Sequence, residues 1–133
     1  METQTGIGAQ NWFGDIHFRP AVIVRPTSAE EIVAIVKDKV TYPSPVRGAG
    51  SNHSVTGCLV SEPGTAVDMR GMNRILSIGN DTVVVQAGAI FIDVAKELEK
   101  HNLQFYVHIE LGNISMGAAA CSQTKDASFT GEY

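Results

Sequence analysis

Long apolar runs are missing from this 133-residue chain. None approaches the ~20 residues of a membrane helix, so no helical span is expected. Cysteine is scarce, with only Cys58 and Cys121. Two cysteines make neither a disulfide framework nor a CxxC knuckle, and both are expected as reduced, buried thiols. Basic residues are outnumbered: ten Lys and Arg stand against fourteen Asp and Glu, for a net charge of −4. A broad basic face for nucleic acid is therefore not expected, although one anion pocket is compatible with this balance. The four histidines (His17, His53, His101, His108) show no HExxH or HxH spacing, so no metal site is expected. Met1–Gln10 has neither the basic start nor the apolar middle of a secretory signal, and the expected location is the cytoplasm. Repeats and low-complexity tracts are also lacking.

What is present is globular composition, 44% apolar and 18% charged, in a length suited to one modest domain. Apolar residues from Ile16 to Val24, broken by Pro20, predict an extended piece and then a strand that Pro26 ends. Ser28 with Glu31 three residues on is a capping-box pattern. Ala29, Ile32, Val33, Val36 and Val40 follow helical spacing and predict the buried stripe of a helix ending near Lys39. Further strands are predicted at Pro45–Arg47 and Thr65–Met69. Arg74–Ile78 and Thr82–Ala87 read as a strand pair turning at Gly79-Asn80-Asp81. Phe91, Val94, Ala95 and Leu98 mark a second helix, about Ile90–His101, with Asn102 as its stop. Gln104–Val107 reads as another strand, and Ser115 as the cap of a short helix through Ala118–Ala120. The order implies an α/β or α+β layer, a small sheet flanked by two main helices. The last residues, Ser128–Tyr133, end without a closing element, so the domain is expected to be incomplete.

Two segments concentrate the chemistry. The first is Arg47-Gly48-Ala49-Gly50-Ser51-Asn52-His53-Ser54, where a strand runs into a glycine-bearing loop. Glycines let successive backbone amides converge on one anion, Ser51, Asn52 and Ser54 add side-chain donors, and Arg47 adds charge. The pattern is neither a Walker loop nor a GxGxxG, and taken alone it reads first as a structural turn. The second segment, Glu110–Thr124, is dominated by small residues around Gly112 and Gly117. A tightly packed turn into a short helix explains it equally well.

Together and in this order, the two segments resemble the vanillyl-alcohol oxidase type of FAD-binding domain, the PCMH-type fold. The resemblance runs from about Phe18 to Ala127. It includes Arg25–Ile32, the Gly-loop Arg47–Ser54, Val67–Ile75, Thr82–Ala89 and Leu111–Gly117. Within that group the chain is most similar to the sugar-lactone, alditol and sterol oxidase branches. The resemblance implies that Arg47, Gly48, Ala49, Gly50, Ser51, Asn52 and Ser54 hold the FAD pyrophosphate. It implies that Gly112, Ser115, Gly117, Ala118, Cys121, Ser122, Gln123 and Thr124 lie along the flavin and its ribityl chain. His53-Ser54 matches the position at which several members attach FAD covalently. A neutral imidazole nitrogen is a competent nucleophile for such a bond, and a non-covalent hydrogen bond to FAD is the alternative role. Two departures stand out: Ser51-Asn52 separate Gly50 from His53, and Gln123-Thr124-Lys125-Asp126 replaces the family's Gly-Thr-His-Gly.

The implied activity is oxidation of a CH–OH group on a small alcohol or sugar-like substrate, with hydride passing to FAD and on to oxygen or another acceptor. Family members are much longer, so the second FAD subdomain and the substrate cap domain are expected to be missing here, and the chain inactive alone. The alternative function is a non-catalytic, vestigial α/β module acting by self-association or partner binding through an unpaired sheet edge. Of the remaining residues, His17 is expected at the surface and His101 at a helix C-terminus. His108 and Glu110 are expected in structural contacts, and Trp12-Phe13 as a packing anchor.

Overall fold

The computed structural model describes residues 1–122. They fall into two compact units, Met1–Met72 and a second beginning at Asn73. The first contains β1 (Glu2–Thr5), β2 (Ala9–Gln10), β3 (His17–Phe18), β4 (Val22–Arg25), α1 (Ala29–Lys37), β5 (Val46–Ala49) and β6 (Thr65–Asp68). Four of these strands form one sheet in the order β1-β4-β6-β5. The β4, β6 and β5 strands run parallel, and β1 is antiparallel to β4. The β2 and β3 strands form a separate two-stranded ladder.

Side chains alternate across a strand, so Val22, Val24, Val46 and Val67 turn to one face of the sheet. There Val22, Val24 and Val67 join Ile35 of α1 and Tyr42 in the buried core, with Val46 and Met69 packed at its margin. Ile23, Ala66 and Asp68 turn to the other face, where they line a cavity.

Helix α1 starts where the capping pattern places it: Ser28 Oγ accepts from the Glu31 amide at 3.3 Å, and Glu31 Oε2 accepts from the Thr27 amide at 2.7 Å. Its buried face differs from the predicted stripe. Ile35 is fully buried, whereas Val33, Val36 and Val40 are 50%, 55% and 94% exposed. Glu31 also meets the N-terminal ammonium of Met1 at 3.4 Å. That anchors the Glu31 side of the helix beside β1, and Ile35, one turn on, follows it inward. β1 itself was not predicted, because its residues are polar and exposed on both faces.

The second unit contains β7 (Ile75–Ile78), β8 (Val83–Val85), α2 (Phe91–Glu99) and α3 (Met116–Cys121). The β7–β8 hairpin closes where Gly79 donates to the Thr82 carbonyl at 2.7 Å. Val94 and Leu98 of α2 form a core with Ala89, and Ile75, Ile78, Val83 and Val85 of the hairpin pack against it. Asn102 ends the helical segment at φ +55°. Its amide donates to the Glu99 carbonyl and the Leu103 amide to that of Leu98, both at 3.0 Å. This is the Schellman arrangement, with Leu103 packed on the Leu98 core.

Gln104–Val107 is not a strand; it runs as irregular chain, with Tyr106 83% exposed. Its apolar residues suggest a ladder, but the segment follows directly on the Schellman turn, and it pairs with no strand among the described residues. Both cysteines are exposed rather than buried. Among the described residues, no helix is long and apolar enough to cross a membrane.

Candidate functional site

In a parallel sheet, ligands bind outside the carboxyl ends of the strands. The Gly-loop Gly50–Ser54 leaves β5 at that end, and Asp68 closes β6 beside it, paired in register with Ala49. Ala49, Gly50 and Asn52 line a cavity of about 210 Å³ with Ala66, Asp68 and Arg70. Asp68 is its fixed acid. The carboxylate accepts Arg25 Nη2 at 2.7 Å, and Arg70 Nε and Nη2 at 2.8 Å each. Burial works against its ionisation, but the hydrogen bonds from Arg70 and Arg25 prevail and hold its carboxyl below the usual range.

The loop itself is unusual in what it leaves unpaired. Ser51 Oγ, Asn52 Oδ1 and both ring nitrogens of His53 are buried without a hydrogen-bond partner. Such atoms are costly to leave unsatisfied, so each needs an explanation. Asn52 carries the left-handed conformation of the loop at φ +60°, a role the sequence pattern assigns to the glycines. Gly48 lies within β5, and a Cβ there would meet nothing closer than Met69 Cγ at 3.8 Å. The chain's own packing therefore does not demand glycine at that position. Arg47 donates from Nη1 to the Cys58 carbonyl at 3.0 Å. Ser54 Oγ lies 3.2 Å from Thr56 Oγ1 and 3.0 Å from Cys58 Sγ. Hydrogen bonds from Ser54 and then Thr56 hold the Cys58 thiol below its ordinary range against the effect of burial, with the Arg47 charge adding to them.

The predicted residues of the second segment lie together in the second unit, and several serve its own packing. Gly117 donates to the Ala87 carbonyl at 2.7 Å, and a Cβ at Gly117 would come within 2.8 Å of Ala87 Cβ. Gly112 backs onto Ile92, whose amide it accepts at 2.8 Å. Ser115 is buried at the start of α3 and bridges Ile90. The Ala118 carbonyl accepts Ser122 Oγ at 2.6 Å. Cys121 is exposed at the end of α3. Gln123 and Thr124 lie outside the described residues. His108 is exposed, with its ring 6.3 Å from that of Phe91 and edge-on to it.

One part of the site was missed from sequence. Trp12 and Phe13 are 60% and 58% exposed, so they are not a packing anchor. The Trp12 ring lies 5.3 Å from the His53 imidazole at an interplanar angle of 32°. Nothing in local spacing joins residues 12 and 53; only the tertiary fold does. Among the described residues, no cluster of three or more His, Cys, Asp or Glu could hold a metal.

A strand-loop cradle with orphaned polar atoms and a glycine that its own fold does not require defines a ligand-holding α/β domain. Comparison with known proteins gives the particular family: residues 20–126 match the FAD binding domain family, and the chain belongs to it. The chain is 33% identical over 95 residues to L-gulono-1,4-lactone dehydrogenase of Mycobacterium tuberculosis, covering 70% of this chain and 22% of that protein. It is 29% identical over 100 residues to L-gulonolactone oxidase of Bos taurus, covering 74% and 22%. D-lactate dehydrogenase of Anaerostipes hadrus is 34% identical over 90 residues, covering 65% and 19%.

The fold matches cholesterol oxidase from B. sterolicum with a TM-score of 0.73 at 22% identity, covering 88% of this chain and 23% of that one. Alkyldihydroxyacetonephosphate synthase matches with a TM-score of 0.73 at 21% identity, covering 85% and 24%. The PCMH-type fold anticipated from the motifs is thus the fold observed, and FAD is the cofactor of the family. The chain spans about a fifth of the length of the curated relatives it matches.

The loop residues fit that cofactor. The Ser51 hydroxyl is a donor for a phosphate oxygen, and the unpartnered His53 imidazole is free to meet the flavin. Asn52 Oδ1 only accepts, which suits a ribose or ribityl hydroxyl. Gly48 has no side chain to stand between its backbone and a bound group.

Proposed function

We propose that this chain is the FAD-holding part of an oxidoreductase acting on CH–OH groups of a small alcohol or sugar-like substrate. The observation that carries the reading is the set of four orphaned polar atoms on Ser51, Asn52 and His53 in one loop at the carboxyl end of a parallel sheet. Relatives named as lactone and lactate dehydrogenases and oxidases support the CH–OH class.

When bound, FAD supplies the two-electron acceptor for a substrate hydride. The chain's own residues bind and orient it. Gly48–Ser51 present backbone and hydroxyl donors to the pyrophosphate, with Asn52 accepting from a sugar hydroxyl. Asp68 stays ionised between Arg25 and Arg70 and fixes both guanidiniums beside the cavity that Gly50 and Asn52 line. His53 would be the residue that anchors the flavin, its unpartnered imidazole nitrogen serving as the nucleophile of a covalent attachment in which dioxygen would take up the two hydrogens and electrons released.

Purification and acid precipitation test the reading. The protein as isolated, or after incubation with FAD, is expected to be yellow, with colour retained in the acid pellet and lost from the pellet of His53→Ala. Colourless protein that takes up no FAD overturns it in favour of a non-catalytic module.

A further inference from the structure

The N-terminal turn Gln10–Ile16 grips the loop on both sides of His53. The Trp12 amide donates to the Asn52 carbonyl at 2.7 Å. Asn11 Nδ2 donates to the Ser54 carbonyl at 3.0 Å. Asn52 Nδ2 donates back to the Gln10 carbonyl at 3.3 Å. Asn11 is 1% exposed and fully committed. Its Oδ1 accepts from the amides of Gly14, Asp15 and Ile16 at 3.0, 3.2 and 3.1 Å, while Nδ2 also donates to Asp15 Oδ1 at 2.6 Å. The carbonyls flanking His53 are thus both engaged by residues 11 and 12. Its own ring nitrogens are left free and buried, and the Trp12 indole lies against the ring.

We propose that Asn11 and Trp12 are positioning residues for His53, Asn11 and the Trp12 amide clamping the backbone on either side and the Trp12 indole fixing the plane of the imidazole. A loop that served only as a connection would pair the imidazole with the carbonyls beside it. Here those carbonyls are held in place by residues 11 and 12, the ring makes no bond back to its own loop, and its nitrogens stay available to a ligand. An indole face restricts an imidazole to fewer orientations, lowering the entropy that must be lost when the ring meets its target. The Trp12 side chain is largely exposed and carries no hydrogen bond among the described residues, so its removal tests this role without removing core packing.

This inference rests on the reading of His53 as a flavin contact, and the experiment separates the two. Trp12→Ala and Trp12→Phe are compared with wild type in the whole protein. His-selective NMR of the FAD-free protein follows the His53 ring signals. FAD titration and acid-stable flavin yield follow the outcome. The expected result is a displaced His53 signal in Trp12→Ala and a rate of acid-stable flavin incorporation lower by about tenfold or more. The dissociation constant for added FAD changes by less than about threefold, and Trp12→Phe restores incorporation. Wild-type incorporation in Trp12→Ala overturns the positioning role while leaving the flavin reading standing. Where wild type itself binds no FAD, the flavin reading falls; His53 ring NOEs to its loop neighbours that are unchanged in Trp12→Ala then overturn the brace as well, and lost or rearranged ones uphold it.

Discussion

The Gly117 amide meets the Ala87 carbonyl at 2.7 Å, and the approach leaves no space for a side chain on Gly117. A Cβ on Gly48, in the Gly-loop segment, would make only an ordinary contact with Met69 Cγ at 3.8 Å. The two glycines look alike in the sequence and differ in cause. Gly117 is required by the fold of its own unit; Gly48 is free of that requirement.

Gly117→Ala is therefore expected to destabilise by about 1–3 kcal/mol through overpacking against backbone, read as a lower denaturation midpoint. Gly48→Ala is expected to leave stability within about 1 kcal/mol of wild type, the cost of a strand glycine being small. The same substitution should weaken FAD binding, read by flavin titration. Equal loss of stability at both positions would falsify the distinction.

Asp68 ties the end of β6 to β4 through Arg25 and is held locally by Arg70. Its folded pKa is depressed, so its contribution to stability is present above the unfolded carboxylate pKa of about 3.9 and is lost as pH falls through the folded value. Asp68→Asn should lower stability at pH 7 by about 1–3 kcal/mol, because two guanidiniums lose their counter-charge and one of the two acceptor oxygens. It should also flatten the acid limb of the stability profile below about pH 5. Urea midpoints measured across that range check both effects.

Cys58 is exposed and its thiol is held below the ordinary range, chiefly by Ser54. Alkylation follows the thiolate fraction. In the FAD-free protein at pH 7.5, Cys58 is expected to react with iodoacetamide severalfold faster than a free model thiol of pKa about 8.5. Ser54→Ala should slow the reaction. Peptide mapping of the modified protein separates Cys58 from Cys121.

Asn102 occupies a left-handed conformation at the end of the α2 segment. Asn102→Gly should be neutral or slightly stabilising, since glycine enters that region without a steric cost. A β-branched Asn102→Val should cost about 1–2 kcal/mol. Thermal unfolding of the two variants in parallel provides the comparison.

Several features of the chain were determined by the sequence itself because their causes are local. Ser28 and Glu31 set the start of α1, Pro26 the end of β4, Gly79–Asp81 the hairpin turn and Asn102 the helix stop. Each acts through bonds spanning a few residues, so spacing reveals it. The ordered motifs from Arg25 to Gly117 carried the FAD-binding family for the same reason: each is a short run of fixed chemistry. The tertiary structure alone decided which face of α1 is buried, because Glu31 is anchored at Met1 while Val33 and Val36 find no partner. It alone paired the polar strand β1 with β4 and left Gln104–Val107 without a ladder. It alone brought Trp12 against His53 across 41 residues of chain, and showed which glycine the protein's own backbone requires. Burial and pairing depend on what a distant segment presents, and no local pattern encodes that.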